Sequence, residues 1–179
     1  MDYPTIFHLI SDVAKKSGLR CVLIGGFAVN FYKVARQTLD VDFLITREDF
    51  QKIEPLLIKA GYKQDFNHAA FARFRTTGET YLIDVDFMFV EKETLDKVIK
   101  DSKKTNIAGQ EFIVPSLNSL IALKLHALKH NLKLRETKDL VDIIDLIRVN
   151  KLYYKSEEFK SLCLKYGTED VYRKILERL

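Results

Sequence analysis

Two aspartates separated by one residue, Asp40 and Asp42, are the first residues in this sequence whose spacing suggests chemistry. They lie in Arg36–Ile45. We predict a β-strand there, because polar residues occupy every second position from Arg36 to Asp42. Residues at that period share one face of a strand, so Arg36 and Thr38 would line the same surface as the two aspartates. Two ionised carboxylates this close repel each other unless a cation lies between them, and Mg²⁺ prefers such oxygen ligands. We therefore predict a Mg²⁺ site here; the alternative is a solvated edge of a surface strand.

A glycine pair, Gly25-Gly26, follows a predicted buried strand at Cys21–Ile24 and begins a short predicted helix. Glycine lets the backbone approach a ligand closely, and the free amides at the start of a helix bind phosphate well. Walker A and GxGxxG motifs are both absent from the sequence. The pair is thus either part of a phosphate site or an ordinary tight turn.

Asp84 and Asp86 interrupt a later, otherwise apolar strand. A carboxylate in an apolar strand costs free energy unless something compensates it. If this strand lies beside Arg36–Ile45, one of the two completes a site of three carboxylates. A charged edge position that prevents aggregation is the alternative reading.

The elements that must position these residues follow from periodicity and from helix-capping residues. We predict an α/β (α+β) fold, with a mixed sheet flanked by helices in residues 1–114 and a helical region in residues 115–179. A hairpin is predicted with arms at Ala70–Arg75 and Tyr81–Val90 and a turn at residues 76–79. Five of the predicted helices start at a hydroxyl residue that can cap them: Thr46, Ser116, Thr137, Ser156 and Thr168.

Composition restricts the class of protein. The 179 residues are 47% hydrophobic and 30% charged, which is typical of a folded globular chain and excludes a disordered one. The net charge of +4 is compatible with a polyanionic partner without requiring one. No signal peptide or membrane span is recognisable, and Cys21 and Cys163 are predicted to be reduced. We expect a cytoplasmic protein with no membrane and no disulfide partner.

Taken together, the glycine pair, Asp40-Val-Asp42 and the later aspartate strand resemble the nucleotidyltransferase superfamily of DNA polymerase beta. Residues 117–148 add "LIALKLHAL" and "KDLVDIIDL", which are similar to the AbiEii-type nucleotidyltransferases, the toxins of bacterial type IV toxin–antitoxin systems. The resemblance covers roughly residues 20–148. It implies a bacterial or archaeal nucleotidyltransferase core in residues 1–114, with Asp86 favoured over Asp84 as the third carboxylate.

The resemblance also implies the ligands and their residues. Two Mg²⁺ ions would be held by Asp40, Asp42 and Asp86, and a nucleoside triphosphate such as ATP or GTP would be the donor substrate. The residues implied in nucleotide binding are Gly25, Gly26, Arg36, Thr38, Lys124, Lys138 and Asp142. Lys124 lies within an apolar helical stripe, so its ammonium must either reach solvent or meet an anion.

The expected reaction is transfer of a nucleoside monophosphate to a hydroxyl of a tRNA, a protein or a small molecule. A toxin of this kind would have a cognate antitoxin. Two other functions remain open: a non-catalytic binding module of the same fold, such as an antitoxin or scaffold, and an antibiotic adenylyltransferase of the lincosamide type.

Overall fold

The computed structural model describes residues 3–76 and 83–179. The chain divides into two compact units, one comprising the chain up to Ala28 together with Gln37–Pro115, and the other comprising Val29–Arg36 and Ser116–Leu179. None of the helices in the described residues is both long and apolar enough to span a bilayer.

The strands of the first unit are β1 (Cys21–Leu23), β2 (Asp40–Ile45), β3 (Tyr62–His68), β4 (Phe71–Thr76), β5 (Asp84–Phe89), β6 (Lys103–Ile107) and β7 (Gln110–Val114). Five of them form a mixed sheet in the order β1-β2-β5-β4-β3, in which β2 and β5 are parallel and the other neighbours antiparallel. A separate antiparallel pair is formed by β6 and β7. The helices of this unit are α1 (Ile6–Ser17), α3 (Arg47–Lys59) and α4 (Lys92–Lys100), together with the start of α2 (Gly25–Phe31).

One face of the sheet is packed with aromatic rings. Phe43 stacks on Phe87 at 5.9 Å between ring centroids, and Phe50 of α3 contacts both Phe87 and Phe74. These four rings are at most 1% exposed. Since side chains alternate along a strand, the aspartates at neighbouring positions of β2 and β5 point to the opposite face.

The second unit is helical and consists of α5 (Leu117–His130), α6 (Leu132–Arg135), α7 (Val141–Val149), α8 (Glu157–Tyr166) and α9 (Glu169–Arg178). Ser116, Ser156 and Thr168 cap their helices as predicted, each accepting a hydrogen bond from a backbone amide three residues on. The mixed α/β fold with a helical C-terminal region is therefore confirmed.

Two local predictions were wrong. Thr137 does not cap a helix, because it lies inside a π-helical turn, Glu136–Leu140, that joins α6 to α7. The strand predicted over Arg36–Ile45 begins only at Asp40. The side chain of Asn30 bonds both the backbone amide and the carbonyl of Arg36, at 2.8 and 2.9 Å, so neither group is available to a sheet. The predicted hairpin turn falls largely outside the described residues.

Candidate metal and nucleotide site

Three carboxylates of the first unit meet on the face of the sheet opposite the aromatic rings. Asp40 and Asp42 come from β2 and Asp86 from β5, and one oxygen from each lies within 4.8 Å of the other two. Parallel pairing places Asp42 opposite Asp86, which sets their side chains on the same face. Among residues 3–76 and 83–179, these three form the only such group of potential metal ligands.

Asp84 occupies the register position opposite Asp40 but is engaged elsewhere. Its Oδ1 atom accepts a hydrogen bond from the backbone amide of Thr76 at 3.1 Å, at the end of β4. The structure thus brings Asp86, and not Asp84, together with both aspartates of β2.

Gly25 makes room for Asp42. Its φ of +60° lies in the left-handed region, and a Cβ atom added there would lie 1.9 Å from Oδ2 of Asp42. At Gly26 an added Cβ would lie 2.6 Å from the Cβ of Thr38. The glycine pair lies in the first turn of α2 and is required by the space that Asp42 and Thr38 occupy.

Thr38 orients the first carboxylate. Its hydroxyl donates to Oδ1 of Asp40 at 2.9 Å and contacts the Asp40 carbonyl at 3.0 Å. Such a short-range bond suits an irregular segment before a strand, which is where Thr38 lies.

Arg73 was not among the residues singled out from the sequence, although it belongs to the site. It lies opposite Asp86 on β4, and its Nε and Nη2 atoms donate to both carboxylate oxygens at 2.8 and 2.5 Å. This hydrogen bond raises the pKa of Arg73. The sequence feature that could have indicated Arg73 is its position within the otherwise apolar stretch Phe71–Phe74. Its partner could not be predicted, because it depends on the register of β4 and β5.

Lys124 meets anions within the second unit. Its buried ammonium contacts Asp139 at 2.9 Å and Asp142 at 2.7 Å, and both carboxylates are about as deeply buried. Arg36 also contacts Asp142, at 3.1 Å between Nε and Oδ1. Of the two alternatives for Lys124, solvent or an anion, the structure shows the second, and the anions are side chains of its own unit.

Lys138, by contrast, is exposed in the π-helical turn. Among the ion pairs of the described residues, Asp142 is joined to Lys124 and Arg36, and none links it to Lys138. A nucleotide-binding role for Arg36, Lys124, Lys138 and Asp142 stays a prediction.

A family described as "uncharacterised nucleotidyltransferase" matches residues 7–178. No curated protein matches the chain significantly.

Several solved structures share the fold of this chain, among them these three. The antibiotic-resistance factor ANT(2″)-Ia superposes with a TM-score of 0.63 at 15% identity, over 95% of this chain and 92% of that one. An antigenic nucleotidyltransferase-like protein from Paracoccidioides brasiliensis gives 0.56 at 14% identity, over 95% and 89%. The lincosamide antibiotic adenylyltransferase LnuA, solved with lincomycin, gives 0.52 at 18% identity, over 78% and 93%. At these identities the likeness concerns the fold.

Proposed function

Because the chain belongs to a family of uncharacterised nucleotidyltransferases whose match spans residues 7–178, we propose that it transfers a nucleoside monophosphate from a nucleoside triphosphate to a hydroxyl acceptor. The observation that supports this most is the group of three carboxylates on β2 and β5, with oxygens within 4.8 Å of one another. A non-catalytic binding module would have no need to retain all three carboxylates and the glycine that accommodates Asp42.

The donor set fits Mg²⁺, because it consists of hard carboxylate oxygens on adjacent strands. Asp40, Asp42 and Asp86 would hold two such ions, which when bound neutralise charge on the triphosphate and on the departing pyrophosphate. Arg73 donates one hydrogen bond to each oxygen of Asp86, so each oxygen keeps a further lone pair that can bind an ion.

The residues have separate tasks in this reaction. The acceptor oxygen bonds to the α-phosphorus while the bond from that phosphorus to the bridging oxygen breaks, and pyrophosphate leaves with the electron pair. Asp86 is the candidate to accept the hydroxyl proton. The amides of Gly25 and Gly26 would contact phosphate oxygens, and Thr38 would keep Asp40 in position.

The acceptor and the biological role are narrower proposals. The resemblance of residues 117–148 to AbiEii-type toxins supports a toxin–antitoxin role, and an adjacent gene for a DNA-binding repressor would strengthen it. The shared fold of ANT(2″)-Ia, which has been solved with adenylyl-2″-tobramycin, supports an antibiotic adenylyltransferase as the second candidate.

The test is thermal unfolding with ATP, GTP, CTP and UTP, each with and without Mg²⁺, in the wild type and in Asp42→Asn. Ligand at about a hundred times its Kd stabilises the folded state by roughly 2.7 kcal/mol. We expect a Mg²⁺-dependent rise in Tm with at least one nucleotide in the wild type and none in Asp42→Asn. Asp84→Asn is the matched control, since Asp84 lies on the same face outside the group of three. An equal shift in Asp42→Asn would refute the proposed site.

A further inference from the structure

The sheet face that carries the three carboxylates continues across β4 and β3 to the edge of the sheet. Asp86 faces Arg73 on β4, and Arg73 faces Phe66 on β3. In the next row Phe71 of β4 faces His68 of β3. Paired residues of adjacent strands point to the same side. This face therefore carries Phe66, His68, Phe71 and Arg73, here named the aromatic platform, of which Arg73 contacts the carboxylates through Asp86.

The platform consists of rings in mutual contact. The rings of Phe66 and His68 lie 6.2 Å apart with an interplanar angle of 25°, and Phe66 and Phe71 lie 6.1 Å apart. The Cζ atom of Arg73 lies 5.5 Å from the centre of the Phe71 ring. The rings form one surface on which a flat group can stack.

The exposure of the platform sets it apart from the core. Phe66 is 51% exposed and His68 is also exposed, whereas Phe74 and Phe87, on the opposite face of the same sheet, are fully buried. The aromatic residues that form the core against this sheet therefore lie on its other face. Exposed aromatic rings beside a candidate active site indicate a ligand surface.

The charged side chains beside the aromatic platform indicate which kind of ligand it would bind. The next row on the same face pairs Arg75 of β4 with Lys63 of β3, so basic residues flank the aromatic platform. Asp65, at an irregularity in β3, pairs with Arg75 at 2.9 Å and offsets part of this charge. A ligand with phosphates and stacking bases matches aromatic rings that are flanked by basic side chains.

The platform also lies at one end of the site. Gly25 packs on Asp42, so the donor phosphates that we assign to the glycine pair would lie on the β2 side of the carboxylates. Asp86 and Arg73 lie on the other side, toward β3. Donor and acceptor would therefore approach the carboxylates from opposite directions.

We propose that the aromatic platform is the acceptor subsite and binds the terminal nucleotides of a single-stranded polynucleotide. A base would stack on Phe66, and Arg73, which lies opposite Phe66 on β4, would contact a phosphate. This inference rests on the proposed nucleotidyltransferase function and names the class of its acceptor.

The test measures the binding of a 5′-fluorescein-labelled single-stranded RNA of about ten nucleotides by fluorescence anisotropy with Mg²⁺. DNA of the same sequence is measured in parallel, to show whether the ribose hydroxyl contributes. We expect Phe66→Ala to weaken binding at least about fivefold, which corresponds to the lower end of base–aromatic stacking energies. Phe66→Tyr, which keeps an aromatic ring, should bind about as tightly as the wild type. Tyr153→Ala, which removes a 72% exposed ring in the second unit, should change the affinity less than about twofold.

The thermal shift with Mg²⁺ and nucleotide, measured on the same variants, separates this inference from the proposed function. An intact nucleotide shift with no polynucleotide binding, or with binding that Phe66→Ala leaves unchanged, would overturn the acceptor subsite and leave the nucleotidyltransferase site standing. If the wild type itself shows no rise in Tm with Mg²⁺ and any nucleotide, the result counts against the proposed function. Tighter binding of tobramycin than of either polynucleotide would also overturn the inference, in favour of a polycationic small acceptor.

Discussion

At the scale of single residues, Gly25 and Arg73 define the candidate site as much as the aspartates do. Gly25 leaves the volume that the Asp42 carboxylate fills, and Arg73 supplies positive charge to a group of three acidic side chains. Carboxylates this close raise each other's free energy when ionised unless a cation compensates them. In this structure Arg73 is one such cation, and it holds Asp86.

We expect Gly25→Ala to abolish metal binding at the site and to lower the free energy of unfolding. An L-residue in the left-handed region costs roughly 1–2 kcal/mol, and the new Cβ would overlap Asp42. Gly18→Ala is the matched control, because Gly18 has a φ of +64° with nothing within 4 Å of an added Cβ. We expect both variants to lose stability in urea, but only Gly25→Ala to lose the Mg²⁺-dependent nucleotide shift. Retention of that shift in Gly25→Ala would show that Asp42 can move aside and the site still bind metal and nucleotide.

Arg73→Gln should bind metal more tightly in the absence of nucleotide. Arg73 competes for both oxygens of Asp86, and its removal also lowers the positive charge at the site. We expect Mn²⁺ affinity, measured by electron paramagnetic resonance, to rise roughly tenfold. Arg75→Gln, on the same strand but paired with Asp65, should have a smaller effect. Weaker Mn²⁺ binding in Arg73→Gln would mean instead that Arg73 holds Asp86 in a binding position.

At the scale of elements, the π-helical turn and the start of α7 are tied to α5 by buried charge. Asp139 of the turn and Asp142 of α7 both contact Lys124, and Arg135 approaches Asp139 at 3.4 Å. Buried ion pairs of this kind are not strongly stabilising in themselves, but removing one partner leaves an uncompensated charge. Lys124 therefore acts as the connection between these helices.

Lys124→Met tests that connection. We expect a loss of about 3–5 kcal/mol in urea unfolding, since two buried carboxylates would lose their shared ammonium. Lys129→Met, an exposed position on the same helix, should change stability by less than about 0.5 kcal/mol. A loss below about 1 kcal/mol in Lys124→Met would show that Arg36 and Arg135 suffice to compensate the two aspartates.

At the scale of the whole molecule, each compact unit contains one free cysteine, Cys21 in the first and Cys163 in the second. Burial raises the pKa of both thiols to about 12. In the unfolded chain a thiol has a pKa near 8.5. Each thiol thus reports on the folding of its own unit.

Both thiols should resist alkylation at pH 8 in the native protein and react in urea. With a pKa of about 12 the thiolate fraction is about a thousandfold lower than in the unfolded chain. Because the folded pKa lies above the unfolded one, this contribution to stability is complete below about pH 8.5 and is lost progressively toward pH 12. Labelling of Cys21→Ser and Cys163→Ser variants along a urea titration measures each unit separately. Rapid native labelling of Cys163 would contradict its burial.

Much of this protein was predictable from local sequence, because periodicity, capping residues and turn residues act over a few neighbours. The mixed α/β class and the cap residues Ser116, Ser156 and Thr168 were predicted correctly. The chemistry of the aspartates on β2 stays a prediction. The failures at Thr137 and Arg36 were also local: a π-helical turn and the Asn30 side chain replaced the expected cap and strand.

Only the tertiary structure decided which residues meet. The choice between Asp84 and Asp86, the partnership of Arg73 with Asp86, and the clearance of Gly25 for Asp42 depend on strand order and register. Register is set by pairing between segments far apart in the chain, and a shift of one residue turns every side chain to the other face. The sequence by itself therefore determined the kinds of chemical group available, and the fold determined which of them share a site.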